Sequence, residues 1–242
     1  MKLKDITNAL IHRANIVLLR LRLFSQFRLG LLKQYQPDPF SKESADASYT
    51  GRACIDRFEA ISKVLPPNTP LSVLDVGCNI GYFVFRMAER GGFCLGTDIG
   101  RNEIMAAQAL AYVHEIQNAA FTRFKVTPET VHFLPQVDTI FCLSIFHHFV
   151  RYFGEQDALE MMRDLSGKAG KYLVFETGQP DESGVAWADK LSFMRPDPRE
   201  WIHGFLLELG FNKVHNLGKF QTSVSHVKRH LFVAERTSES DS

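Results

Sequence analysis

The stretch Leu71–Phe85, LSVLDVGCNIGYFVF, decides how the rest of the chain is read. It opens as a short apolar run, Leu71 to Val76, of the kind expected for a buried parallel strand. It turns at Gly77 and Gly81 and resumes as an apolar-periodic helix through Phe83, Val84 and Met87. Strand, glycine-containing turn and helix form the first half of a βαβ unit. In an open α/β sheet that turn lies at the carboxyl end of the strand, where ligands bind. Gly77 and Gly81 let backbone approach a ligand closely. Asp75, at the strand end, can accept hydrogen bonds from the ligand or orient the turn.

The ligand class follows partly by elimination. A dinucleotide fingerprint needs G-x-G-x-x-G, but Gly77 and Gly81 have three residues between them. A phosphate-cradling loop needs Gly-Lys-Ser/Thr, which is absent. A βα turn of some other doubly wound protein stays open on these residues alone. Asp75-Val76-Gly77-Cys78-Asn79-Ile80-Gly81 resembles motif I of the class I S-adenosylmethionine-dependent methyltransferases, D-x-G-x-G-x-G, with Asn79 at the middle glycine. Asn tolerates the left-handed region better than most residues, so the turn can survive the exchange. Asp98 ends the second strand 21 residues after Gly77, where the family uses an acidic side chain on the ribose hydroxyls. Its other reading is as a cap for the helix that follows.

The resemblance covers about residues 50–236 and implies a Rossmann-like α/β fold. It implies a seven-stranded, mostly parallel sheet in the order 3-2-1-4-5-7-6, strand seven antiparallel, with helices on both faces. It implies S-adenosyl-L-methionine as cofactor, held by Asp75, Gly77, Cys78, Asn79, Gly81 and Tyr82 of the turn, by Asp98 and Ile99, and by Ser144. Arg52 is a candidate partner for the cofactor's carboxylate, with Tyr49 closing over it. No residue is assigned to the adenine amino group.

The chain has 242 residues, 45% of them apolar, enough for one full α/β core with an appendage. Its net charge of +1 hides an asymmetry, because residues 1–36 carry seven basic side chains against Asp5, a balance of +6. The remainder, at −5, is not a broadly basic face, so nucleic acid is not expected as partner. Cys54, Cys78, Cys94 and Cys142 show no CxxC spacing and read as core thiols of a reducing, cytoplasmic protein. No metal is expected.

Residues 1–48 read as a basic apolar segment and linker, 49–236 as the methyltransferase domain, and 237–242 as a disordered tail. Arg20 and Arg22 interrupt the run NIVLLRLRLF, which argues against a transmembrane helix. The segment makes a poor signal peptide, while a transit peptide stays open. Its apolar residues do not gather on one side of a helical wheel. Two readings stand: residues 1–35 cover the core or a partner subunit, or they sit on the inner face of a membrane. Gln36–Ser48 reads as a loop.

Further strands are expected at Phe93–Thr97, Phe121–Val126, Thr139–Leu143, Tyr172–Glu176, Val214–Leu217 and His230–Ala234. Residues 177–199, rich in Gly, Pro and Asp, read as a lid facing the substrate. Past strand four come Ser144, Phe146, His147 and His148. One of the two histidines is the candidate general base for a hydroxyl acceptor, and at least one of them is expected to pack and bond backbone.

These features, and a loose likeness to bacterial enzymes of surface glycans or secondary metabolites, imply direct O-methylation of a small molecule or glycan. The alternative is a non-catalytic S-adenosylmethionine-binding partner or sensor. Lys219, His226, Lys228, Arg229 and His230 of the last hairpin, with Arg151, are expected to gather a cationic mouth for an anionic acceptor.

Overall fold

The computed structural model describes residues 11, 13–19, 21, 25, 35–37, 39–40, 49–67, 69–182, 184–222 and 226–237, with the side chains of 49–52 left out. Helix α1 (Tyr49–Ser62) leads into β1 (Val73–Val76), and α2 (Tyr82–Glu89) leads into β2 (Cys94–Asp98). There follow α3 (Arg101–Val113), β3 (Ala119–Arg123), β4 (Val137–Leu143), α4 (Phe146–Phe153), α5 (Glu155–Gly167) and β5 (Ala169–Glu176). A 3-10 helix (Ala188–Met194), α6 (Pro198–Glu208), β6 (Lys213–Phe220) and β7 (Arg229–Glu235) complete the domain.

The sheet order is β3-β2-β1-β4-β5-β7-β6. The pairs among β1 to β5 are parallel, while β7 runs antiparallel to both β5 and β6. The central strands are apolar on both faces because both are covered. Phe141, Val174, Leu231 and Val233 face one cluster with residues of α1, α2 and α3. Ile140, Cys142, Leu173, Phe175 and Phe232 face the other, with residues of α4, α5 and α6. That alternation by single residues is the pleat of a strand buried twice.

Several elements differ from their sequence reading: β5 begins three residues earlier than expected, at Ala169, and β6 runs three residues further, to Phe220. The third strand is Ala119–Arg123, two residues earlier than expected at its start, and residues 124–126 run on as irregular chain. Past β4 there is a helix where only a connection was read. Its signal is Phe146, Phe149, Val150 and Phe153 at helical spacing, ended by Gly154 at φ 91°.

The stretch 177–199 packs tightly: Thr177, Gln179, Glu182, Leu191 and Met194 are all buried. Asp197 then caps α6, accepting from Arg199 N–H at 2.9 Å and Glu200 N–H at 3.3 Å, with Pro198 in the first turn.

Of residues 36–48, those described lie against the domain. Gln36 is buried and its side-chain oxygen accepts from Tyr82 N–H at 3.0 Å, satisfying a free donor at the start of α2. Phe40 stacks on His114 at 3.8 Å and meets Phe85 edge-on. Arg86 donates to Pro39 O. Residues 41–48, 238–242 and most of 1–34 lie outside the described residues.

Candidate active site

The turn between β1 and α2 has left-handed backbone at Gly77 (φ 77°), Asn79 (φ 53°) and Gly81 (φ 88°). Asn79 thus occupies the region that only glycine and a few polar residues enter at low cost. Gly77 N–H and Cys78 N–H both donate to Thr97 O, at 2.7 and 2.9 Å, which ties the turn to the end of β2. A Cβ at Gly81 would lie 2.4 Å from the Phe121 ring, so the turn sits hard on β3.

Asp98 closes the same corner. Its carboxylate accepts from Asn79 N–H at 2.9 Å through Oδ2 and from Gly100 N–H at 2.8 Å through Oδ1. Two backbone donors fix its orientation, and each oxygen keeps a lone pair for a diol. Ile99 follows as an apolar side chain 61% exposed. Asp75 is buried beneath the turn. Burial, then the neighbouring Asp98 carboxylate, push its pKa up to about 8, against the pull of Arg57. Asp75 Oδ2 and Asn79 Oδ1 are buried acceptors with no donor among the described residues. Cys78 and Tyr82 are buried in the core behind them.

A cavity of about 290 Å³ opens beside this turn. Gly77, Asn79 and Asp98 line it together with Ser144, His147, His148, Trp187 and Arg229. Tyr35, from the N-terminal segment, completes the wall. Of the residues expected from sequence, six therefore share one cavity: Gly77, Asn79, Asp98, Ser144, His147 and His148. The side chains of Tyr49 and Arg52 lie outside the described residues. Sequence reasoning did not anticipate Tyr35, 42 residues before Gly77.

The two histidines stand in the first turn of α4 and differ sharply. His147 is buried, and its Nδ1 accepts from Gly178 N–H at 3.0 Å. Its own N–H donates to Thr177 Oγ1 at 3.1 Å. Because Nδ1 is an acceptor, the ring proton of neutral His147 belongs on Nε2. Burial, with Arg229 and His148 nearby, holds its pKa well below the usual imidazole value. His148 is half-buried, its ring 5.5 Å from Trp187 and 6.3 Å from Tyr152. Burial lowers its pKa too, with Arg151 and Arg229 adding to the effect and Asp98 opposing it.

Behind the cavity runs a buried charge network. Ser144, left-handed at φ 60°, donates through Oγ to Glu176 Oε1 at 2.7 Å and accepts from Arg229 Nη1 at 3.1 Å. Arg229 forks onto Glu182 with two contacts of 2.7 Å, and Arg57 pairs with Glu176 at 3.2 Å. Each cation has its own carboxylate, as buried ions require.

This corrects the expected cationic mouth at two of its members, Arg229 and His230. Arg229 is fully buried and ion-paired, and His230 is 9% exposed, with its pKa lowered by burial and Lys219. Lys219, His226 and Lys228 are exposed on the hairpin, while Arg151 lies over the Tyr152 ring.

Residues 74–171 match the family model described as a methyltransferase domain. With the sheet order, this match gives the chain the fold of the class I S-adenosylmethionine-dependent methyltransferases. The domain is 27% identical over 183 residues to the O-antigen chain terminator bifunctional methyltransferase/kinase WbdD of Escherichia coli, covering 74% of this chain and 23% of that protein. The crystal structure of WbdD superimposes with TM-score 0.63 at 25% identity, over 83% of this chain and 44% of that one. A tRNA U34 carboxymethyltransferase of Trichodesmium erythraeum is 32% identical over 116 residues, 47% of this chain and 34% of that protein. The chain thus spans a quarter to a third of the length of these relatives. Magnesium protoporphyrin IX methyltransferase of Synechocystis, solved with bound S-adenosylmethionine, shares the fold at TM-score 0.53 and 18% identity over 77% of this chain and 78% of that one.

The exclusion of nucleic acid drawn from charge is weakened by these findings, since four relatives carry the tRNA name. The methyltransferase cofactor is S-adenosylmethionine, and the site residues fit it. The orphaned acceptors Asp75 Oδ2 and Asn79 Oδ1 suit an ammonium donor, the Asp98 carboxylate suits a diol, and exposed Ile99 offers an apolar surface beside it.

Proposed function

We propose that the domain methylates a hydroxyl oxygen of a small molecule or glycan by direct displacement, with His148 as general base. When bound, S-adenosylmethionine supplies an electrophilic methyl group on a sulfonium centre. Asp98 holds the ribose hydroxyls, Asp75 and Asn79 take the ammonium, and the cavity brings the acceptor hydroxyl to His148. Positioning supplies most of the rate, because the two reactants meet in one enclosed site. His148 takes the hydroxyl proton as oxygen attacks, which a neutral imidazole near neutral pH can do.

The observation that carries this reading is the pairing of one fixed and one available imidazole beside the motif I turn. His147 has its Nδ1 engaged by Gly178, so it acts as a wall and as an Nε2–H donor. His148 shares the cavity with Gly77 and Asp98, and among the described residues its ring makes no hydrogen bond to compete with an acceptor. The names of the relatives favour two acceptor classes, an O-antigen glycan and a tRNA base. The glycan class fits better here, because the domain outside residues 1–36 is net negative. An anionic group on the acceptor would meet exposed Lys219 and Lys228 on the hairpin rather than Arg229.

Incubation with methyl-labelled cofactor and a panel of glycans, small hydroxylated molecules and tRNA tests the reading. Label transfer to a hydroxyl compound, lost in His148→Ala with cofactor binding intact, supports it. Cofactor binding with no transfer to any acceptor would favour a sensor or partner subunit instead.

A further inference from the structure

Among the described residues of the basic, apolar N-terminal segment, Tyr35 lines the cavity. Residues 1–36 hold a net charge of +6 in a chain whose total is +1. Residues 13–19 are helical. Ile16 and Leu19 are half-buried, and Asn15, Leu18 and Leu19 share a hollow with Tyr112 of α3. One face of this helix therefore turns toward the domain.

The other face is apolar as well. Ile11, Val17, Leu18 and Leu21 are 55%, 55%, 63% and 60% exposed, and Ala14 is exposed among them. On a helix of 3.6 residues per turn these five positions fall within an arc of about 120°. Apolar residues on two sides are the reason a helical wheel shows no single apolar face. Arg13 is exposed at the border of the outer arc, and the sequence supplies Arg20, Arg22 and Arg28 close by.

We propose that this outer face docks in the plane of an anionic lipid surface. The apolar arc would sink to the acyl boundary while the basic side chains meet phosphate headgroups. A second copy of the chain is a poorer occupant, because it would bring one +6 segment against another. Among the described residues no helix is long and apolar enough to cross a membrane, so the contact is interfacial. The proposal is independent of the acceptor chemistry.

Co-sedimentation of the full chain with vesicles tests it. Phosphatidylcholine vesicles containing phosphatidylglycerol should pull down the protein at low salt, and recovery should fall as salt rises. Phosphatidylcholine alone should retain about tenfold less or lower. Val17→Gln combined with Leu21→Gln should weaken the partition by about tenfold or more, since two apolar side chains no longer enter the interface. Calorimetric affinity for S-adenosylmethionine should stay unchanged in that variant, which separates lost docking from misfolding. The proposal is overturned by protein that stays in the supernatant, by recovery indifferent to phosphatidylglycerol, or by a double variant that binds like wild type. A concentration-dependent dimer that the same variant abolishes would assign the face to a second copy and also overturn it.

Discussion

Gly178 donates its backbone N–H to His147 Nδ1 at 3.0 Å, and that single bond separates the roles of two adjacent histidines. Protonating His147 would oppose this donor and charge a side chain 1% exposed. His148 meets no such donor among the described residues and is only half-buried. The kcat/KM of methyl transfer should therefore rise with pH through a value below 6.5, the ordinary histidine pKa from which burial lowers His148, and then level off. His148→Gln should lose turnover by about 10²-fold or more and flatten that limb. His147→Gln should keep a pH limb and lose stability instead. The linkage sign is that of an imidazole favoured neutral in the fold: stability is present above about pH 6.5 and falls as pH drops below it. A pH-rate profile unchanged by His148→Gln would assign the limb to another group.

Asp98 joins two kinds of work in one side chain. It braces the motif I turn through Asn79 N–H and Gly100 N–H, and it offers its remaining lone pairs to a ribose. Asp98→Ala should cost about 2 kcal/mol or more of S-adenosylmethionine affinity, the worth of charge-assisted hydrogen bonds to a diol. Asp98→Asn keeps one acceptor oxygen and should lose less. Titration calorimetry decides, and equal affinity of Asp98→Ala and wild type would remove the ribose role.

Much of this arrangement was legible because it is local. The strand-turn-helix at Leu71–Phe85, the spacing to Asp98 and the alternation of elements lie within short windows, and the observed sheet order follows from them. Helix α4 was legible in principle, since Phe146, Phe149, Val150 and Phe153 keep helical spacing, but the run follows β4 without a break and masks the change of period. Arg229 was misplaced for a different reason. Read with Lys228 and His230 it looks like surface charge, yet it shares its strand face with buried Leu231 and Val233. Its partner Glu182 lies 47 residues away, which no local pattern reveals. Tyr35 is a case of the same kind: it reaches the cavity only because Gln36 and Phe40 anchor its segment on α2 and His114.

Asp75 should couple cofactor binding to proton release. Its pKa is raised from 3.8 to about 8 by burial and by Asp98, so at neutral pH without cofactor it is mostly the neutral acid. A cationic ligand at its orphaned Oδ2 favours the carboxylate. Binding therefore releases a proton, and affinity rises with pH by up to about tenfold per unit until about pH 8. In the protein without cofactor, stability from this raised pKa is full below about pH 3.8 and declines as pH rises toward 8. Calorimetry in buffers of different ionisation heat measures the released proton directly. Asp75→Asn should abolish the buffer dependence, and a wild-type enthalpy equal in all buffers at pH 7 would refute the linkage.

The pair Arg229–Glu182 is, with Arg57–Glu176, one of two buried ion pairs among the described residues. Both side chains are fully buried, and Glu182 Oε1 also accepts from Gln179 N–H at 2.8 Å, so the carboxylate holds the loop as well as the guanidinium. Glu182→Ala leaves Arg229 charged, with Ser144 Oγ as its remaining side-chain hydrogen-bond partner among the described residues. Removing one member of a buried pair costs about 3–5 kcal/mol, far more than a surface pair. Arg229→Met together with Glu182→Leu removes both charges and should recover most of that loss, because two desolvation costs vanish with the attraction. Urea unfolding of wild type, Glu182→Ala and the double variant measures the difference. A loss below about 1 kcal/mol in Glu182→Ala would mean that water or rearrangement satisfies Arg229 when its partner is gone. Arg229 also meets the Trp187 ring, 5.8 Å from its centroid, and Trp187 packs on His147 at 4.4 Å. The double variant should therefore keep its fold yet shift the acceptor KM more than the cofactor affinity, since it disturbs the Trp187 and His147 wall rather than Asp98.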